Sequence, residues 1–477
     1  MPVLSRKKAQ NPGLLRLSGG ARPVRWCRDR PRRTPAPGAQ GVMALVVLVM
    51  TWFGARRRPP TGAGLSPSAR ALLGLLLGLA ALTLPAVAEP RTDFRTWVEA
   101  LWPDAKAAGV TRATFDAALA TLQPNLKIPD LELPGRPTDA SKGQAEFTRA
   151  PKDYLDSAYL ERLAATGRQL ATRHKAELER IEREIGVDRY SILAIWGRET
   201  AFGTHKLPHD AIQVLATLAW TGRRKELFRN ELIEALKMLQ AGVARADMRA
   251  SWAGAVGLTQ FMPSEYFTYA RDLDGDGRKD IFRSVGDALA SGAAQLAGKG
   301  WVRGQTWGYE VVIPAGADCG YEGPTQARAI AAWAKLGFAR ADGKAWSPAL
   351  QSVEAYLMSP AGAYGPAFLV FENFKVIRRY NTSDLYAVFV GHLADRIAGR
   401  GDFVHPFGGT GAQKTKVIEE IQTRLGKAGY DVEKIDGKIG SNTRKVIGLY
   451  QRSNGLEVDC WPSDAVLAHI RRMAANP

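Results

Sequence analysis

Cysteine is scarce in this sequence, with three residues among 477. Cys27 lies in a basic leader, while Cys319 and Cys460 fall in regions of different pattern. We therefore expect two free thiols in the mature chain rather than a disulfide framework. No cysteine follows the N-terminal apolar run at a lipid-attachment position, which argues against a lipoprotein.

Acidic residues are outnumbered by basic ones, and the formal net charge is +18. Of this charge, +13 lies in residues 1–88 and +5 in the rest of the chain. Nucleic-acid binding is therefore not the expected function, because the excess charge is confined to the leader. The remaining charge fits either ordinary solubility or an anionic wall or membrane surface. A length of 477 residues allows two or three domains, and a hydrophobic content of 45% is typical of a soluble globular protein.

The leader has the pattern of an export signal. Arginines precede an apolar run at residues 71–84, and an A-x-A cleavage motif follows at residues 86–88. The run is short for a membrane span. We expect a periplasmic protein whose mature chain starts near Glu89, with an inner-membrane anchor as the alternative. A translation start at Met43 or Met50 would remove the Pro/Arg-rich part of the leader.

Hydrophobic spacing predicts a mainly α-helical body with a small β part. Helices are predicted over residues 94–122, 154–185, 191–198, 211–218 and 224–239. Asp188 is the expected N-cap of the third of these. Alternation at 307–313 and the aromatic, β-branched composition of 367–380 predict a small sheet. The Gly/Pro-rich passage at 405–411 is typical of a linker before a C-terminal helical unit.

One helix carries a candidate acid. Its apolar stripe consists of Ile192, Ile195 and Trp196 and ends in Glu199. Loss of hydration would favour the protonated form of this carboxyl group, and a glycosidic oxygen leaves only when it is protonated. Gly197 and Gly203 would let a polymer approach closely. On spacing alone, an ion pair between Glu199 and Arg198 is the favoured interpretation.

Four motifs change that interpretation. They are GRETAFG at 197–203, SWAGAVGLTQFMPS at 251–264, DLDGDGRKDI at 272–281 and YNTSDLYAVFVGHLADRI at 380–397. In this order they resemble the B-type lytic murein transglycosylases over about residues 144–400. The resemblance implies a lysozyme-like α-domain flanked by a helical domain and a small β domain. It also implies cleavage of the MurNAc–GlcNAc β-1,4 bond of peptidoglycan with formation of 1,6-anhydro-MurNAc, without an organic cofactor.

The resemblance assigns roles to individual residues. Glu199 matches the sole catalytic acid/base. The positions that match the substrate groove are Ser251, Gln260, Tyr380, Asn381 and Tyr386. One carboxylate suffices when the substrate's acetamido group assists. The family commonly has an Asn-Tyr pair where this chain has Ala294-Gln295, and we expect that difference to remove an aromatic sugar contact.

An acidic loop is a candidate calcium site. The first half of an EF-hand pattern is present, but its twelfth position is Arg283 rather than Glu. Asp280 and Asp287 could compensate. The candidate ligands are Asp272, Asp274, Asp276 and Asp287, with Arg278 at the seventh position, and the resemblance implies a structural Ca²⁺ here. The alternative is an acidic turn satisfied by neighbouring cations.

The last part of the chain has a second resemblance. Residues 421–459 carry a helix–DG–x–IG–x–x–T–helix pattern similar to the peptidoglycan-binding domain. Asp436, Gly437, Gly440 and Thr443 would shape its loop, and Ile421, Leu425, Val446 and Tyr450 would fill its core. Such a module would raise the local concentration of the enzyme at its substrate.

These expectations define four regions. The leader and signal peptide occupy residues 1–88, the catalytic region 89–404, a linker 405–414 and the binding module 415–477. Within the catalytic region, the lysozyme-like core covers about 186–300 and 375–400, and the small β part about 301–374. The expected partner is peptidoglycan glycan strands, bound by a monomer, with other wall enzymes as further candidates. The alternative functions are a hydrolytic muramidase and a non-catalytic wall-binding scaffold.

Overall fold

The structure, a computed structural model, describes residues 93–133 and 149–475. The leader and its signal motif therefore lie outside the described residues. The described residues belong to one unit, Arg91–Pro477. Among them, every helix is too short or too polar to cross a membrane.

The first helical segment is divided into three. The helices are α1 (Phe94–Ala100), α2 (Trp102–Ala107) and α3 (Arg112–Leu119). The single pattern predicted over 94–122 is interrupted by Pro103 in the first turn of α2 and by Gly109, whose φ is +87°. Phe94, Val98 and Phe115 are buried in a core shared with later helices.

The next segment leads to the candidate acid. It consists of α4 (Pro151–Tyr154), α5 (Ser157–Arg173), α6 (Lys175–Glu184) and α7 (Arg189–Thr200). The helical pattern over 154–185 is confirmed, with a break at His174. The predicted N-cap is also confirmed, because the Asp188 carboxylate accepts the Ser191 N–H at 2.8 Å. All residues from Ser191 to Gly197 are buried.

A ribbon and four helices follow. Strands β1 (His209–Asp210) and β2 (Arg249–Ala250) pair antiparallel. Helices α8 (Ala211–Thr221) and α9 (Lys225–Gln240) lie between them, as the sequence predicts, and α10 (Pro263–Tyr269) and α11 (Val285–Gly298) come after them. Helices α8, α9 and α10 share the core of α1–α3, whereas the apolar face of α11 joins the core around α7.

The small β part is an antiparallel sheet of five strands. They are β3 (Gly308–Val312), β4 (Arg328–Ala329), β5 (Ala339–Arg340), β6 (Glu354–Met358) and β7 (Ala367–Val370), in the order β4-β6-β7-β3-β5. Helix α12 (Ile330–Lys335) packs on this sheet through Trp333, which is fully buried. The strand predicted at 307–313 is β3.

The sheet predicted over 367–380 is only partly correct. It ends with β7, and residues Glu372–Tyr380 form helix α13, followed by α14 (Asp384–Ile397). The composition misleads because aromatic and β-branched residues are common in strands. The burial of Phe374 and Ile377, three residues apart, shows the helical period instead.

The C-terminal helical unit contains α15 (Thr415–Lys427), α16 (Ser441–Ser453) and α17 (Asp464–Ala475). The predicted core residues Ile421, Leu425, Val446 and Tyr450 are all buried there. Gln422 accepts the backbone N–H groups of Asp436 and Gly437 and donates to the Thr443 hydroxyl. Asp436 and Thr443 therefore shape the loop between α15 and α16.

The expectation of two free thiols is wrong. Cys319, in a short turn beside the sheet, forms a disulfide with Cys460, which precedes α17. The two residues are 141 positions apart, so no local pattern indicates the pairing. Gly448 on α16 is required for this approach, because a Cβ there would lie 2.2 Å from the Cys319 sulfur.

Candidate active site

Glu199 lies in the last turn of α7, half-buried at the end of an apolar stripe whose other members are buried. The chain then turns sharply, with Ala201 and Phe202 at φ +47° and +59°. Left-handed conformations are uncommon for residues with side chains, and they concentrate at functional sites. Thr200 holds the turn, since its hydroxyl accepts the Gly203 N–H at 3.1 Å and donates to the Leu258 carbonyl at 2.8 Å.

The two glycines beside the acid have different roles. A Cβ at Gly197 would lie 2.6 Å from the Phe202 ring, so this buried glycine serves internal packing rather than the approach of a polymer. Gly203 is exposed and lines an open cleft of about 610 Å³, together with Thr200, His205 and Lys206. The expected role in polymer approach is thus compatible with Gly203 alone.

Tyr386 contacts the acid directly. Its hydroxyl donates a hydrogen bond to the Glu199 carboxylate, and the Tyr386 side chain is almost fully buried. Burial, followed by the charge of Glu199, raises the pKa of Tyr386 well above its ordinary value. Tyr386 is therefore a fixed donor to the carboxylate.

Tyr380 lies on the other side of the α13–α14 turn. Its hydroxyl donates to the Thr259 carbonyl. Burial and then the charge of Glu199 raise the pKa of Tyr380 well above its ordinary value. The structure thus brings Glu199, Tyr380 and Tyr386 together, and half-buried Asn381 ends α13 between the two tyrosines.

The segment before α10 reaches the site through its backbone. The Leu258 and Thr259 carbonyls accept the bonds from Thr200 and Tyr380. Gln260 follows in a left-handed conformation, and its side-chain amide donates to the Gly257 carbonyl at 3.0 Å. Ser251 lies earlier in the same segment, where its hydroxyl accepts the Ala255 N–H at 3.2 Å.

Sequence reasoning missed that Arg198, the residue before the acid, packs among aromatic side chains. The Arg198 guanidinium donates to the Tyr154 hydroxyl at 2.8 Å and lies over the rings of Tyr386 and Phe389. Burial alone would lower the pKa of Arg198, but attraction to Tyr154 and Glu199 raises it overall. The arginine that suggested a plain ion pair is therefore part of the site, and no spacing connects it with Tyr154.

The Ala294-Gln295 pair, where an aromatic sugar contact is expected to be missing, does not lie on an exposed surface. Both side chains are buried within α11, at 6% and 1% exposure. The Lys299 side chain, one turn beyond Gln295, places its ammonium 5.2 Å from the centre of the Tyr380 ring. Lys299 also pairs with Glu265 at 2.9 Å.

In the acidic loop, three of the candidate calcium ligands lie close together. Carboxylate oxygens of Asp272, Asp274 and Asp276 lie within 4.8 Å of one another. Asp287 is outside this group and braces the loop, since its oxygens accept the Leu273 and Asp280 N–H groups, both at 2.8 Å. Arg278 contributes a backbone N–H to Asp276 at 2.7 Å.

Comparison with known proteins identifies the family. The model of the transglycosylase SLT domain matches residues 93–395, well over half of the chain. The chain belongs to this family. The model of a peptidoglycan binding domain matches residues 415–470. Both resemblances inferred from the motifs are thereby confirmed.

Individual relatives agree. The chain is 37% identical over 129 residues to the membrane-bound lytic murein transglycosylase B of Escherichia coli K12. That alignment spans 27% of this chain and 36% of the relative. SltB3 from Pseudomonas aeruginosa is 37% identical with a TM-score of 0.71, covering 80% of this chain and 100% of SltB3. The soluble lytic transglycosylase SltB1 of the same species is 26% identical with a TM-score of 0.53, covering 63% and 98%. The predicted fold class, mainly α with a lysozyme-like catalytic part, is confirmed.

Proposed function

We propose that this protein is a periplasmic lytic transglycosylase that cleaves the MurNAc–GlcNAc β-1,4 bond of peptidoglycan and leaves a 1,6-anhydro-MurNAc end. The observation that carries the proposal is the half-buried Glu199 carboxyl group held by the Tyr386 hydroxyl. Two solved structures of SltB3 support the substrate and product class, one with NAG-NAM-pentapeptide and one with NAG-anhNAM-pentapeptide.

In the first step, Glu199 donates its proton to the glycosidic oxygen. As the C1–O bond breaks, the MurNAc acetamido oxygen bonds to C1 and stabilises the positive charge. Substrate assistance of this kind replaces the second carboxylate of ordinary glycosidases. Asn381 and Tyr386, on either side of the α13–α14 turn, orient the acetamido group.

In the second step, the Glu199 carboxylate removes the proton of the MurNAc 6-hydroxyl. The 6-oxygen attacks C1 and displaces the acetamido oxygen, which closes the anhydro ring and returns Glu199 to its protonated form. The proposed reaction therefore consumes no water. Gln260 and Ser251, on the segment that accepts the Thr200 and Tyr380 bonds, are proposed to contact the sugar, and the proposed reaction needs no organic cofactor.

The disulfide supports the export part of the proposal. Disulfides persist in oxidising compartments such as the bacterial periplasm and are rare in the cytosol. The Cys319–Cys460 bond therefore fits a signal peptide in residues 1–88 that directs the chain out of the cytoplasm. A membrane anchor formed by the uncleaved leader is the alternative.

The acidic loop is proposed to bind a structural Ca²⁺. Oxygen ligands at alternate positions suit this cation, and three carboxylates brought together without bound cation repel one another. Asp272, Asp274 and Asp276 would hold the ion, while Asp287 keeps its bracing bonds. The role is stabilisation of the loop that precedes α11.

Mass spectrometry of digested murein tests the main proposal. The wild type should release muropeptides with anhydro ends, and Glu199→Gln should release none. The matched control is Glu354→Gln, an exposed carboxylate on β6, which should behave as wild type. Reducing ends would indicate a hydrolytic muramidase. Equal release by wild type and Glu199→Gln would indicate a non-catalytic wall-binding protein.

A further inference from the structure

An arginine of the C-terminal unit is buried against the catalytic part. Arg444, on α16, is 1% exposed. Its guanidinium forms an ion pair with Glu322, which lies between β3 and β4 and is fully buried. Nη2 also donates to the Asp384 carboxylate at 3.3 Å, and Nη1 donates to the Ile439 carbonyl at 2.8 Å. Three different parts of the chain are therefore joined at one side chain.

The chemistry of arginine suits this buried position. A buried charge is tolerated when it is paired and its remaining donors are satisfied, and the flat guanidinium fork serves several acceptors at once. Glu322 is held in turn by the Ser359 N–H at 2.9 Å. Removing one partner of a buried pair leaves the others uncompensated, which is strongly unfavourable.

Asp384 connects this cluster to the acid. It is the first residue of α14, and Tyr386, two residues later, donates to Glu199. The other Asp384 oxygen lies 2.8 Å from Nε of Arg378 on α13. Asp384 thus ties together the two helices whose turn carries Tyr380, Asn381 and Tyr386.

We infer that Arg444 is a positioning residue for the reaction. Through Asp384 it fixes the α13–α14 turn, and so holds Tyr386 on Glu199. The C-terminal unit is then a structural component of the active site as well as a wall-binding module. The expected effect of Arg444 on kcat rests on the proposed function. Its expected effect on the order of the α13–α14 turn does not.

Other contacts keep the unit in place when Arg444 is changed. The disulfide joins the same two parts, Arg452 pairs with Asp318, and the Tyr364 hydroxyl donates to the Asp459 carboxylate at 2.8 Å. None of these contacts involves Asp384. Loss of the Arg444 side chain should therefore loosen the turn without releasing the unit.

The test compares Arg444→Met and Arg444→Lys with Arg452→Met in the full chain. Arg452→Met is the matched control, because it removes an ion pair of the same interface away from Asp384. Each variant is assayed for kcat and KM on soluble muropeptide, for binding to insoluble peptidoglycan, and for hydrogen–deuterium exchange at residues 384–388. If Arg444→Met does not fold, Asp384→Asn takes its place.

Arg444→Met should lower kcat roughly 10- to 100-fold, the scale expected for a misplaced catalytic contact. Exchange at 384–388 should rise while wall binding is unchanged. Arg444→Lys should recover part of kcat, and Arg452→Met should match the wild type in all three measurements. The inference is overturned if Arg444→Met keeps wild-type kcat and exchange, or if Arg452→Met changes both equally. Should the wild type itself release no muropeptide, the proposed function fails, and the exchange measurement still decides the positioning role.

Discussion

The contact between Tyr386 and Glu199 joins residues 187 positions apart. Because the pKa of Tyr386 is raised, its hydroxyl stays protonated at neutral and moderately alkaline pH and can donate to Glu199 whenever that side chain is ionised. The same holds for Tyr380 and its bond to the Thr259 carbonyl. Neither tyrosine should therefore cause a loss of activity between neutral pH and pH ~10, the ordinary tyrosine pKa.

Removing the hydroxyl tests this contact. We expect Tyr386→Phe to lower kcat on soluble muropeptide by about 10- to 100-fold, since a hydrogen bond to a charged group contributes roughly 1.5–3 kcal/mol. Steady-state kinetics with a fold check by circular dichroism measures the effect. Tyr266→Phe is the control, because its hydroxyl bonds the Lys279 carbonyl instead. Equal losses in the two variants would contradict a specific role.

At the level of helices and loops, Asp402 follows the C-terminal end of α14 and forms a pH-sensitive group of contacts, called here the Asp402 clamp. Asp402 accepts hydrogen bonds from His392, at 3.0 Å, and from Ser157, and it pairs with Arg396. The His392 bond is the main reason that the pKa of Asp402 lies below its ordinary value, with Ser157 and Arg396 adding to it. The Asp402 clamp stabilises the fold above the ordinary aspartate pKa of about 3.9, and this contribution is lost as the pH falls below that value.

Asp402→Asn should therefore be less stable than the wild type at pH 6 and closer to it at pH 2.5. Urea unfolding at the two pH values measures the difference in free energy of unfolding. A difference that is the same at both values would mean that the carboxylate charge does not stabilise the contact between α5 and α14.

The acidic loop gives a second test at this scale. If it binds Ca²⁺, the melting temperature should rise with added calcium and fall with a chelator, because a ligand at 100 times its Kd adds about 2.7 kcal/mol of stability. Asp274→Asn should remove the response, whereas Asp342→Asn, in an unrelated turn, should retain it. Calorimetry that shows no chelator-sensitive shift in the wild type would contradict the calcium proposal.

Local patterns explain which elements could be predicted. Helix α7 was predictable because its N-cap, its apolar stripe and its acid all lie within a dozen residues. Helix α13 is predicted wrongly as a strand because its aromatic and β-branched composition is typical of strands, although the period of its buried residues is helical. The division of residues 94–122 into three helices depends on Pro103 and Gly109. The amphipathic pattern alone does not show these interruptions.

Across the whole molecule, the contacts that complete the site have no local signature. Tyr154 reaches Arg198 from α4, and Arg444 reaches Asp384 from α16, so chain folding alone brings them together. The family motifs indicated Glu199 and the expected groove residues, but they could not indicate the packing between regions. A pair of cysteines 141 positions apart is ambiguous for the same reason.

The disulfide should stabilise the whole described unit. Because it closes a long loop of the unfolded chain, Cys319→Ser/Cys460→Ser should lower the free energy of unfolding by about 2–5 kcal/mol under non-reducing conditions. Reductant should bring the wild type down to the level of the double variant and leave the variant unchanged. Activity on soluble muropeptide should persist in the variant, since Arg444, Arg452 and Tyr364 still hold the C-terminal unit in place. If both proteins unfold alike without reductant, the two thiols are unpaired in solution, and the support that the disulfide gives to export is withdrawn.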